Sequence, residues 1–126
     1  MPVPEEGQTD TFTRRFTTED VRRFTAVSAD AGEHHEEPDE GGRLLVHGLL
    51  TATLPTKVGG DYDVLAETMA FEFPRPVYTG EEVTCEVTFH TVEEREHGHR
   101  VDARGVCRNE AGDVVLRVEF GGRIRR

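Results

Sequence analysis

Hydrophobic and polar positions are best ordered in the second half of the chain. Val83, Cys85, Val87 and Phe89 alternate with Glu82, Thr84, Glu86 and Thr88, the period of a strand with one buried face. Val101, Ala103, Gly105 and Cys107 repeat that period within residues 99–108, and Val114, Leu116, Val118 and Phe120 repeat it again. Between them, residues 93–98 form a charged hairpin tip and residues 109–113 a turn. An earlier strand is predicted over residues 65–73, with Leu65, Met69, Phe71 and Phe73 on one face and Glu67 breaking it. Pro74 and Pro76 punctuate the connection that follows.

The first half reads differently. Residues 1–9 carry two prolines and two glutamates with no apolar period, which predicts a loose tail ahead of a single domain over 10–126. Residues 10–16 alternate weakly through Phe12, Arg14 and Phe16. Thr17 followed by Asp20 approximates a capping box, and Val21, Phe24 and Val27 or Ser28 share a helical face. A loop is predicted over 31–42. A buried helix is predicted over 48–54 through Leu49, Leu50, Ala52 and Leu54, and Pro55 should kink or end it. Antiparallel strands with one polar face need an apolar cover on the other. That helix is the adequate candidate, so the predicted fold is α+β, a curved antiparallel sheet wrapped around a central helix.

Composition narrows the partners. Lys and Arg number 15 against 25 Asp and Glu, a net charge of −10, which disfavours nucleic acid and anionic membranes. Lys57 is the only lysine. Many carboxylates with almost no lysine is a composition associated with proteins of salt-loving archaea, where molar salt shortens the Debye length to about 3 Å. Cys85 and Cys107 lack metal-site spacing and fall on predicted apolar faces, as buried thiols in a reducing compartment would. The polar, acidic start shows no signal peptide, and no apolar run approaches a membrane span. A soluble cytoplasmic protein is expected.

The candidate chemistry lies between residues 28 and 48. Asp30 and His35 stand five residues apart in a loop region; a carboxylate can orient an imidazole or share a water with it. On spacing alone, Asp30 can equally be a helix-terminal turn residue and His35 a solvated one. Gly48 opens the predicted buried helix, where free N–H groups suit a developing oxyanion; a glycine chosen for close packing is the competing reading. His34, His35 and His47 with Glu33, Glu36, Glu37 and Asp39 could bind zinc, but they lack the HExxH spacing and a nearby cysteine, so no metal is expected. A nucleophile elbow, a P-loop and a dinucleotide fingerprint are all missing.

Taken together, Phe24 to His35, the step Val46-His47-Gly48-Leu49-Leu50, the lead-in Phe16 to Val21, Phe71-Glu72-Phe73-Pro74 and the turn Val77 to Val83 resemble the MaoC-like, or R-specific enoyl-CoA hydratase, family of hotdog-fold proteins. The resemblance spans roughly residues 12 to 122. It implies a hotdog fold and a catalytic pair, Asp30 and His35, that activates water for addition to a trans-2-enoyl-CoA thioester. It also implies a substrate-binding set of Gly48, Thr53 and His47, with Gly48 supplying a backbone donor to the thioester carbonyl. No cofactor is implied beyond the coenzyme A of the substrate, and a homodimer joined at sheet edges is expected. Two departures stand out: Gly32-Glu33 replaces the family's asparagine-proline, and the segment from His35 to His47 is several residues short. The first expectation is therefore a lyase; a non-catalytic acyl-CoA-binding or partner subunit, and a hotdog thioesterase, are the alternatives.

Overall fold

A computed structural model describes residues 2–125; Met1 of the predicted tail and Arg126 at the end of the predicted domain lie outside the described residues. The elements run β1 (Thr9–Arg15), α1 (Thr18–Ser28), α2 (Glu33–Glu36), α3 (Gly48–Thr51), α4 (Thr53–Gly60), β2 (Leu65–Glu72), β3 (Glu82–Arg95), β4 (Gly98–Arg108) and β5 (Val114–Arg125). The strands form one antiparallel sheet in the order β1-β3-β4-β5-β2. The alternation predicted for β3 and β4 is observed: Val83, Cys85, Val87, Phe89, Val101, Ala103 and Cys107 are buried, and they pack with Leu54 and Val58 of α4. The α+β arrangement expected from the residue pattern, and the hotdog fold that the resemblance implies, is the fold of the chain.

The central helix is two helices. It is interrupted at Ala52, which itself keeps right-handed helical angles, and α4 continues through Pro55. Pro55 cannot donate to the Thr51 carbonyl, but as third residue of α4 it sits where no intrahelical donor is required. Leu49 faces outward at 62% exposure, whereas Leu50, Ala52 and Leu54 are buried. In α1 the capping box closes as predicted, with Thr17 Oγ1 accepting from Asp20 N–H and Asp20 from Thr17 N–H. Val21 is buried, but Val27 points into solvent. The predicted 31–42 loop contains the single turn α2.

Three strand irregularities explain where alternation fails. Glu67, His90 and Val115 each lack a register partner, because the pairing shifts between Ala66 and Thr68, Phe89 and Thr91, and Cys107 and Arg108. An extra residue rotates the side chains that follow. Val115 and Leu116 are therefore both buried, in place of Val114. β2 is corrected more strongly. It lies at the sheet edge and ends at Glu72, and of the predicted shared face Leu65, Met69 and Phe73 are 47%, 37% and 46% exposed while Phe71 is half-buried.

The last residues of the predicted loose tail are tied to the sheet. Gly7 N–H donates to Phe89 O, Phe89 N–H to Gln8 O, and the Gln8 side chain to Asp10 and Tyr62. Residues 7 and 8 thus extend the β1 edge of the sheet. The free thiols Cys85 and Cys107 are fully buried and paired in register across β3 and β4. A hydrogen bond between them, then burial, pushes Cys107 far above the usual thiol range. No helix among the described residues is long and apolar enough to cross a membrane.

Candidate active site

The C-terminus of α1 delivers Asp30. Ala29 turns the chain in the left-handed region at φ 60°, and its N–H donates to Thr25 O. Asp30 N–H then donates to Ser28 Oγ. Gly32 is the N-cap of α2, and its carbonyl accepts the His35 N–H. This short turn brings the His35 ring back toward Asp30, with His35 Nε2 3.8 Å from Asp30 Oδ2. The two side chains differ in setting: Asp30 is 59% exposed and His35 6%.

The protonation of His35 follows from its other nitrogen. Nδ1 lies 2.7 Å from Leu45 O, and a carbonyl can only accept, so Nδ1 carries the hydrogen. In the neutral ring Nε2 is then a lone pair, and it faces a carboxylate. Two acceptors 3.8 Å apart do not hydrogen-bond to each other. A water donating one hydrogen to each satisfies both, and its own lone pairs then point away from the pair.

His47 lies behind His35. The rings stack at 3.7 Å and 16°, and Phe24 packs against His47 at 4.8 Å with a 56° tilt. His47 Nε2 is 3.0 Å from Asp30 O and 3.2 Å from Thr25 Oγ1. Thr25 Oγ1 gives its own hydrogen to Val21 O, so His47 Nε2–H is the donor to both oxygens. Nδ1 is buried with no partner among the described residues. Burial pushes the His47 pKa down; the Asp30 carbonyl contact opposes this, and His35 adds to the lowering.

An open pocket of about 410 Å³ runs beside the pair, lined by His34, His35, Gly48, Thr51, Phe73, Arg75 and Val77 among others. His35 and Gly48 are brought together on its wall. Asp30 flanks His35 outside that lining. A larger hollow of about 850 Å³ at the β3–β4 hairpin contains none of the predicted site residues. Gly48 is tightly packed, since a Cβ there would fall 3.0 Å from the Phe73 ring. Its N–H, at the first position of α3, is one that no intrahelical carbonyl reaches.

Two sequence expectations are displaced. His47, predicted to bind substrate, is 2% exposed and meets protein groups instead. Thr53 donates its hydroxyl to Leu50 O at 2.6 Å and does not line the pocket. Phe73 and Arg75 were missed, because the period of β2 pointed Phe73 inward and Arg75 lies in a proline-flanked connection. Asp30, His35 and His47 offer ligand atoms within 4.8 Å of one another. The two imidazoles are stacked nearly parallel, however, so their in-plane lone pairs do not converge on one ion.

No family model matches the chain. An (R)-specific enoyl-CoA hydratase of Aeromonas caviae is 32% identical over 94 residues, covering 66% of this chain and 69% of that protein. The solved (R)-hydratase of A. caviae involved in PHA biosynthesis superposes with a TM-score of 0.82 at 24% identity, over 94% of this chain and 95% of its own. A MaoC-like dehydratase from Rhodospirillum rubrum gives 0.74 at 16% identity, over 98% and 94%. The two structures carry the fold and the sequence relative carries the kinship: the chain belongs to the MaoC-like, R-specific enoyl-CoA hydratase family.

Proposed function

We propose that this chain catalyses the reversible hydration of a trans-2-enoyl-CoA to an R-3-hydroxyacyl-CoA. The observation that carries the reading is the pair itself: His35 Nε2, the acceptor of the neutral ring whose Nδ1–H donates to Leu45 O, opposite Asp30 Oδ2 at 3.8 Å. A water held by both hydrogens presents its lone pairs to an electron-poor β-carbon. As the O–Cβ bond forms, one acceptor takes a proton from the water and the double-bond electrons move toward the thioester oxygen. The Gly48 N–H stabilises that enolate. The proton held by the pair then passes to the α-carbon, so one water is added and the protein is unchanged. The reaction has no net redox step, and coenzyme A arrives as part of the substrate.

Two further features belong to this reading. Arg75 stands on the pocket wall with no ion-pair partner among the described residues, and in a chain of net charge −10 it offers a local attraction for the CoA phosphates. The outer edge of β2, with Leu65 and Met69 exposed, is suited to pairing with a second copy in a homodimer. Cytoplasmic thioester metabolism fits the two free thiols.

The test is to offer a short trans-enoyl-CoA in molar salt. Loss of the conjugated enoyl absorbance supports hydration. Release of free thiol instead makes the chain a thioesterase, and binding with no chemical change makes it an acyl-CoA-binding subunit.

A further inference from the structure

We infer that His47 is a positioning residue for the Asp30–His35 pair, acting from behind it and never touching substrate. The inference rests on the hydratase reading above. Its ground is the set of contacts His47 makes at once. Its ring stacks on His35 at 3.7 Å and packs at a tilt against Phe24 at 4.8 Å. Its Nε2–H reaches the Asp30 carbonyl and Thr25 Oγ1. The same imidazole therefore sets the plane of His35 and fixes the backbone from which the Asp30 carboxylate projects.

The loop needs such a brace. Residues 29–32 contain no proline, and Gly32 stands in the turn. The Gly32 N–H to Asp30 Oδ1 contact is long at 3.4 Å. The His47 bond to Asp30 O ties this turn to the buried start of α3. Against α1 the groups facing His47 are uncharged, Phe24 and Thr25; the titratable groups around it are Asp30, His35 and His34. A neutral His47 donating from Nε2 satisfies the Asp30 carbonyl without placing a cation against His35.

Two variants separate the two contacts. His47→Phe keeps an aromatic face on His35 but cannot donate to Asp30 O. His47→Gln keeps a donor but removes the stack. Each should lower kcat about 10- to 100-fold, as small misplacements at a reacting centre do, with KM within about twofold. In His47→Phe, 15N relaxation should show Asp30 to Gly32 more mobile while the rest of α1 is unchanged. Unchanged kcat in a folded His47→Phe protein overturns the inference, and so does a rise in KM alone, which would put His47 on the substrate. If neither variant folds, the histidine tautomers of the wild type decide: His47 protonated only at Nε2 supports the inference, and a hydrogen on Nδ1 overturns it. If the wild type leaves enoyl-CoA unchanged, the hydratase reading fails. The loop mobility in His47→Phe then still reports whether His47 braces the Asp30 turn.

Discussion

At the scale of single residues, His47 gives the clearest pH prediction. Its folded pKa lies below the ordinary 6.5 because it is buried. Below that pH the unfolded chain binds a proton that the folded chain does not, so this residue lowers stability as the solution is acidified. Above pH 6.5 the penalty is absent. Thermal melts of wild type and His47→Phe should therefore diverge between pH 7 and pH 5, with the wild type losing more. Parallel melts across that range would contradict the buried, neutral assignment. Arg75→Ala should raise KM for a CoA thioester several-fold with kcat kept, an effect that fades in high salt; equal KM values at low salt would remove Arg75 from binding. Spacing alone left Asp30 and His35 open between a paired site and two loop residues; the resemblance paired them, and the turn α2 that brings them to 3.8 Å lies inside a stretch that reads only as loop. The burial of His47 was not legible, since a histidine before a glycine carries no periodic signal and its neighbours come from α1 and α2.

At the scale of elements, α1 matters because its C-terminus places Asp30. Its first turn is held by the reciprocal bonds of Thr17 and Asp20, and those bonds, led by the Thr17 N–H, hold Asp20 below the usual carboxylate range. Thr17→Ala should cost about 1 kcal/mol, measurable by denaturant titration; no change in midpoint would mean that the helix is held by packing alone. This cap was readable from spacing. The bulges were only half readable. Glu67 interrupted the β2 pattern, yet the pattern could not say that the strand is an edge. Val115 gave no warning, because Val114-Val115-Leu116 is apolar throughout and either phase fits it. The interruption falls at Ala52 rather than at Pro55 for a related reason: proline marks which carbonyl goes unserved, and that carbonyl belongs to the turn before it.

At the scale of the whole molecule, the fold was legible because three long strands and one apolar helix leave few ways to cover a sheet. Many exposed carboxylates and one lysine mean strong self-repulsion at low salt. Melting temperature should rise steadily as salt is raised from millimolar to molar, and a flat response would argue against salt adaptation. The claim on which everything else depends is that Asp30 and His35 share one reacting water. The most direct measurement is the steady-state rate of enoyl-CoA hydration by purified Asp30→Asn and His35→Ala proteins with wild-type circular dichroism. Each should lose at least about 100-fold in kcat, the scale of a lost general base, with little change in KM. Wild-type turnover in both would contradict the account.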